Sequence, residues 1–441
     1  MARPIYINKK IKKYNKSISV SGDKSLSIRF ALLASMAVGK SKAFNLLHSE
    51  DIKNTLNCLK KLGIKIDLTE KYCQITGNGL NNFKYKNNLI LNAGNSGTAA
   101  RLISSIIIKS PKVVKIIGDK SLSKRDMNRI IEPLKKFGAI FFNNKGTLPI
   151  YMRGTPFPKA INYSEMRGSA QCKSAVMLAA LSAPGITKLK CKPSRDHTEL
   201  LFKHLNIPIK VKKKKNFDYI EIKGQKQFSS FNYNIPGDIS SAAFFIVLTL
   251  LSEKSSLIIK NINTNESRTG LIAILNLMGA NIKFKNKKIY KGEKIADIQI
   301  KSIEKLKALN CPTKYNSSAI DEMLLIFLVA AKSNGVSYFK GLSELNKKES
   351  PRLNLGSKIL NLMGVKTKLT NDSIKIYGNP HLKLDKYYII KNYLKDHRIF
   401  MMSTVAALSI GGNWKIEDSD SIKTSFPSFL NIIKKLGGEI N

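Results

Sequence analysis

The sequence predicts an α/β fold of six repeated units, grouped as two domains of three. Three observations predict it. The chain has 441 residues, too many for one ordinary core and suited to two domains of about 200 residues each. An amphipathic helix with a common C-terminal pattern returns six times, at steps of about 70 to 85 residues. A second kind of helix, apolar on every side, alternates with the first.

The amphipathic copies are LNCLKKLGIKI around Gly63, IIEPLKKFGAI around Gly138 and LLFKHLNIPI around Asn206. They continue as LIAILNLMGANI around Gly279, KILNLMGVKT around Gly364 and NIIKKLGGEI around Gly437. Apolar residues at helical spacing make one buried stripe, and Gly or Asn supplies a left-handed cap before a strand begins. The apolar copies are RFALLASMAVG, TAARLISSIII, CKSAVMLAALSAPG, SSAAFFIVLTLL, DEMLLIFLVAAKSNG and RIFMMSTVAALSIGG. A helix without a polar face belongs in a core. Short β-branched segments such as LIIKNI and IKIYG read as strands between the helices. Gly22-Asp23 and Gly237-Asp238 sit at related turns before the first and fourth apolar helices, and read as paired crossovers. They divide the chain into residues 22–235 and a discontinuous domain of residues 1–21 and 236–441. The active site is expected in the cleft between them, since ligand sites favour domain interfaces.

The formal net charge is +45, from 75 Lys and Arg against 30 Asp and Glu. A nucleic-acid-binding protein carries such an excess. Here the lysines are spread through the whole chain beside many Ile and Asn, which is the signature of A/T-rich codons. Whatever its origin, the excess draws anionic ligands. Five cysteines without a CxxC pair point to reduced thiols in the cytoplasm. Five histidines without HExxH-type spacing give no metal site. No apolar run is long enough to span a bilayer, and the first residues hold no signal core.

Polar residues cluster at the mouths of the apolar helices. Lys24, Ser25 and Arg29 open the first, with Ser25 and Arg29 on one face. Gly94-Asn95-Ser96-Gly97-Thr98 and Arg101 open the second, and Ser169-Ala170-Gln171 the third. Asp321-Glu322 heads the fifth, Asp396-His397-Arg398 the sixth, and Lys348-Glu349-Ser350-Pro351-Arg352 starts an amphipathic helix. Each cluster taken singly also reads as an N-cap, a dipole partner or a local salt bridge. Together they supply cations and donors for multiply anionic ligands, and carboxylates for proton transfer.

GDKSLSIR, LNAGNSGTAAR, GDKSLSKRDMNRIIEPL, GSAQCKSAV, SRDHTELL, IPGDISSAAF, ESRTGLI, IDEM, KKESPRL, DHRIFM and SFPSF, in that order, resemble the motifs of the 5-enolpyruvylshikimate-3-phosphate synthases. The wording of SAQ-K-S and SRDHTE is closer to the second bacterial class. The resemblance implies two domains of three βαβαββ units, the inside-out α/β barrel of enolpyruvyl transferases. It implies a cytoplasmic monomer that uses phosphoenolpyruvate and shikimate 3-phosphate, without metal, organic cofactor, nucleic acid or membrane.

By the same resemblance, Asp321, Glu349 and Lys24 carry the proton transfers. Lys24, Ser25, Arg29, Ser169, Ala170, Gln171, Arg195, Asp321 and Lys348 hold shikimate 3-phosphate. Lys24, Gly97, Arg125, Gln171, Arg352 and Arg398 hold phosphoenolpyruvate. A lysine found before Phe-Pro in one class corresponds here to Thr424 or Ser425, with Lys423 offset, and Pro351 replaces an acid of many relatives. Gly97 implies sensitivity to glyphosate, although Leu102 replaces a proline common in sensitive relatives. The sister transferase acting on UDP-N-acetylglucosamine is the alternative within the fold, but residues 111–125 lack the cysteine of that family's loop. A basic nucleic-acid-binding protein is the alternative of another class.

Overall fold

The structure, a computed structural model, describes residues 3–142 and 145–441. Its contacts divide the chain into two units. One, here the terminal unit, comprises Met1–Ser21, Pro236–Ile289 and Lys294–Asn441. The other, central in sequence, comprises Gly22–Ile235 with Tyr290–Glu293. That short excursion is fixed to the central unit by His197 Nδ1 against Glu293 Oε1 at 2.7 Å, both fully buried. The Asn234 amide also donates to the Tyr290 hydroxyl.

Both helix types appear where periodicity places them. The apolar helices are Lys24–Met36, Gly97–Ile106, Ala170–Ala180, Ile239–Leu251, Met323–Ala331 and His397–Ile410, and nearly every residue in them is buried. The amphipathic helices are Glu50–Lys61, Asn128–Phe137, His197–His204, Gly270–Leu277, Arg352–Leu362 and Phe429–Leu436. The residues expected to end them, Gly63, Gly138, Asn206, Gly279, Gly364 and Gly437, all have positive φ. That is the left-handed turn a chain needs to leave a helix abruptly. Five of these turns lead into a strand. The sixth leads instead to a pair of backbone bonds between Asn441 and Tyr6.

Among the described residues six small sheets accompany the helices. In the central unit the same pattern occurs three times, one parallel pair followed by two antiparallel pairs. Asn232–Asn234 thus pairs in parallel with Val38–Phe44, which pairs antiparallel with Tyr72–Asn78 and so leads to Lys65–Leu68. The terminal unit varies the theme, and the N-terminal strand Ile5–Ile7 lies antiparallel to Gly411–Ile416. No sheet closes on itself among the described residues. Strands such as Asp218–Lys223 alternate buried and exposed positions, so each sheet turns one face to its unit's core. Each unit has its own apolar core, centred on its apolar helices. Among the described residues no helix is long and apolar enough to cross a membrane.

Five of the six apolar helices are capped by a side chain at their first turn. Asp23, Ser96, Ser169, Asp238 and Asp396 accept from the amides of Leu26, Ala99, Cys172, Ser240 and Arg398. The helix Met323–Ala331 is the exception, since Glu322 makes no such bond.

Candidate functional site

In the central unit Asp23 caps the first apolar helix and fixes the direction of Lys24, Ser25 and Arg29. Lys24 stays partly exposed and pairs with Asp51 at 3.1 Å. Arg29 is buried and spoken for: Nε donates to Thr198 Oγ1 at 2.8 Å, Nη2 to Ser174 Oγ at 2.8 Å and Nη1 to the Ser25 carbonyl at 3.1 Å. Burial lowers its guanidinium to about 10, against the pull of Glu199 and Asp23, and the like charge of Arg195 pushes the same way. An anion placed against Arg29 and Arg195 would relieve that repulsion.

Ser169 and Gln171 sit at the mouth of Ala170–Ala180. Glu165 accepts from the Ser169 amide at 2.9 Å, and Ser169 Oγ caps the helix at Cys172. Gln171 bridges to the second apolar helix, donating to Thr98 Oγ1 at 2.8 Å and accepting from Arg101 Nη1. Gly97 is the first residue of that helix, and Arg125 reaches the same mouth through Nη2 to Asn95 Oδ1 at 3.0 Å. A Cβ at Gly97 would stand 3.2 Å from Arg101 Nη1 and 3.4 Å from Arg125 Nη1. The missing side chain therefore leaves room against two guanidinium groups. Lys24, Ser25, Ser169, Ala170, Gln171, Arg125 and Arg195 are all partly exposed, whereas Arg29 is buried.

The terminal unit assembles the carboxylates and the remaining cations. Asp321 Oδ1 lies 3.4 Å from Lys348 Nζ and 3.7 Å from Arg352 Nη1. Glu349 accepts from Arg352 Nη2 at 2.5 Å. Asp396 takes Arg352 Nε at 2.8 Å and Nη2 at 3.1 Å, and the Ser350 hydroxyl at 2.8 Å. Burial alone would raise the Asp396 carboxyl, but Arg352 outweighs it and holds the group below the usual carboxylate range. Arg398 Nη1 donates to the Asp321 carbonyl at 2.6 Å and lies 3.6 Å from Glu322 Oε1. Burial pushes the Glu322 carboxyl above its ordinary range, opposed by Arg398 and reinforced by Asp321. Pro351 occupies the N-cap of Arg352–Leu362, one place before the first turn where its fixed φ points to it.

Several side chains that support these sets escaped the sequence reading. Asp51, Ser174, Thr198 and Glu199 position the cations of the central unit, with Glu199 Oε1 2.6 Å from the fully buried Lys173. Ser240 and Arg268 do the same beside Glu322. Ser174, Thr198, Glu199, Ser240 and Arg268 lie inside quoted motifs, but as small polar or paired residues in apolar surroundings they gave no local signal. Among the described residues no group of three or more His, Cys, Asp or Glu is placed to hold a metal ion.

The chain was compared with known proteins. The model of the EPSP synthase (3-phosphoshikimate 1-carboxyvinyltransferase) family matches residues 8–433. A 3-phosphoshikimate 1-carboxyvinyltransferase of Ruthia magnifica is 40% identical over 425 residues, covering 96% of each chain. That of Zymomonas mobilis is 36% identical over 449 residues, covering 100% of this chain and 98% of its own. Among solved structures, the EPSP synthase of Acinetobacter baumannii superposes with a TM-score of 0.87 at 33% identity, covering 100% of this chain and 99% of that one. The enolpyruvyl transferase NikO of Streptomyces tendae shares the fold alone, with a TM-score of 0.78 at 12% identity over 99% of this chain and 98% of that one. With the family model spanning nearly all of the sequence, the chain belongs to the EPSP synthase (3-phosphoshikimate 1-carboxyvinyltransferase) family.

Proposed function

We propose that the chain transfers the enolpyruvyl group of phosphoenolpyruvate to the 5-hydroxyl of shikimate 3-phosphate and releases phosphate. The observation that carries this reading is Asp321, a carboxylate faced by Lys348 at 3.4 Å and Arg352 at 3.7 Å. Two cations at that range hold the carboxylate in place, and a fixed carboxylate is the group a general base needs.

In this reading Asp321 accepts the proton of the 5-hydroxyl as its oxygen bonds to C2 of phosphoenolpyruvate. Glu349 and Lys24 deliver a proton to C3 and take one back when the C2–O bond to phosphate breaks. The product is an enol ether. Ser25, Arg29, Ser169, Ala170, Gln171 and Arg195 hold shikimate 3-phosphate, with Lys24, Asp321 and Lys348. The repulsion between Arg29 and Arg195 supports a phosphate at that place. Gly97, Arg125, Gln171, Arg352 and Arg398 receive phosphoenolpyruvate, with Lys24. The reaction takes place in a monomer of the cytoplasm. Fixed cations aimed at developing charge contribute the largest share of such catalysis.

The test is phosphate release from phosphoenolpyruvate and shikimate 3-phosphate, with Asp321→Ala as control. Release that needs both substrates and drops by about 100-fold or more in the variant is expected for loss of a general base. No release from folded wild-type protein overturns the reading. The next assays are then UDP-N-acetylglucosamine as acceptor and salt-dependent nucleic-acid binding.

A further inference from the structure

We propose that Glu322 is a positioning residue for Arg398, and through it sets how tightly phosphoenolpyruvate is held; this rests on the functional reading above. Glu322 is 1% exposed and heads the helix Met323–Ala331, yet it makes no capping bond there. A carboxylate beside a helix start ordinarily serves its own helix. This one is turned elsewhere.

Its Oε1 accepts from the Ser240 hydroxyl, on a neighbouring apolar helix. Arg268 Nη2 donates to Ser240 Oγ at 2.8 Å and to Asp238 Oδ1 at 3.1 Å. A hydroxyl has one proton. Ser240 Oγ is already an acceptor toward Arg268, so its proton points to Glu322. Arg268 and Ser240 thereby fix the carboxylate from behind, while Oε2 has no hydrogen-bond partner among the described residues.

In front of Oε1 stands Arg398. Its Nη1 is held by two oxygens of consecutive residues, the Asp321 carbonyl at 2.6 Å and Glu322 Oε1 at 3.6 Å. The first is a hydrogen bond. The second is an ion-pair distance, and in a buried place such a pair is screened little. Arg352, by contrast, is bonded through Nε and Nη2 to Asp396 and Glu349. Arg398 is thus anchored at one nitrogen, and its remaining donors are left for a ligand. Glu322 itself touches no substrate in this scheme. Its removal weakens an anchor and leaves the proton-transfer groups in place.

The test is initial-rate kinetics of the full chain with Glu322→Gln, which keeps size and the Ser240 bond but removes the charge. A rise of about tenfold in KM for phosphoenolpyruvate is expected, with kcat and KM for shikimate 3-phosphate within about twofold. Ser240→Ala, which removes the fixing proton, should shift the same KM by about threefold. It carries the test if Glu322→Gln melts early. An unchanged KM for phosphoenolpyruvate in an active variant overturns the proposal, as does a fall in kcat alone or an equal rise in both KM values. If wild-type protein releases no phosphate, the functional reading fails and this proposal falls with it. Wild-type turnover with unaffected variants sinks the proposal alone.

Discussion

Arg352 and Asp396 form a buried ion pair, with Nε donating to Oδ2 at 2.8 Å and side chains only 2% and 0% exposed. Asp396 also caps the helix His397–Ile410 through the Arg398 amide. One carboxylate therefore neutralises a buried cation and starts the helix that carries Arg398. Asp396→Ala leaves that cation short of its fully buried partner and should destabilise the protein by about 3–5 kcal/mol. Asp396→Asn keeps a capping acceptor and should recover about 1 kcal/mol of that loss. Urea unfolding of both variants checks the ranking, and equal losses would remove the capping role.

The same pair gives a direction with pH. The folded carboxyl of Asp396 titrates below its unfolded value, so the unfolded chain takes up the proton first as pH falls. Its contribution is complete above the unfolded value of about 4 and is lost as pH drops through the folded one. Wild-type protein should therefore lose stability below about pH 4 more steeply than Asp396→Asn. Melting curves across that range test it, and parallel profiles would contradict it.

Lys173 and Glu199 are a second buried pair, 2.6 Å apart with side chains 0% and 4% exposed. Breaking it by Lys173→Met leaves a buried carboxylate and should cost about 3–5 kcal/mol. The double variant with Glu199→Met removes both charges and should regain most of that loss, since burying an ion pair costs about what the pair returns. A double variant as unstable as the sum of the two single ones would show that the residues act separately.

How much of this was legible in the sequence depends on distance along the chain. The six helix pairs were, because burial and the left-handed turn leave marks within a single helix. Gly138 and Asn206 both turn at positive φ, although only one is glycine. Gly437 shows the limit: its helix ends at positive φ as the others do, yet Asn441 pairs with Tyr6 through backbone bonds and forms no assigned strand. Lys24 and Arg29 were legible as cations at a helix mouth. Their partners were not, since Asp51 lies 27 residues and Thr198 169 residues away. Such pairings are set by how repeats pack, which no local period records. Asp321-Glu322 also reads locally as a dipole partner of its helix, whereas Glu322 makes no capping bond and accepts from Ser240 instead.

The five cysteines are buried and unpaired. Burial pushes the thiols of Cys58 and Cys311 up to about 11, and those of Cys73, Cys172 and Cys191 up to about 12. The thiolate is the reactive form, so almost none is present near neutral pH. Folded protein should consume almost no thiol reagent at pH 8, and about five equivalents after denaturation. Rapid labelling of one cysteine in folded protein would reveal a local opening that this packing does not contain.

Gly97 bears on inhibition. A methyl group there would sit 3.2 Å from Arg101 Nη1 and 3.4 Å from both Arg125 Nη1 and Leu122 Cδ1. Leu122 belongs to the core and has little room to yield, so the guanidinium groups must shift. Arg125 is proposed to bind phosphoenolpyruvate, and glyphosate is expected to occupy the same place. Wild-type enzyme should be inhibited competitively with phosphoenolpyruvate at constants well below the millimolar range. Gly97→Ala should raise the inhibition constant by about 100-fold and KM for phosphoenolpyruvate by about tenfold, with KM for shikimate 3-phosphate unchanged, since one displaced charged contact is worth about 1.5–3 kcal/mol. Inhibitor titrations at several phosphoenolpyruvate concentrations decide it. A millimolar constant for the wild type would place Leu102, rather than Gly97, in control of this helix mouth.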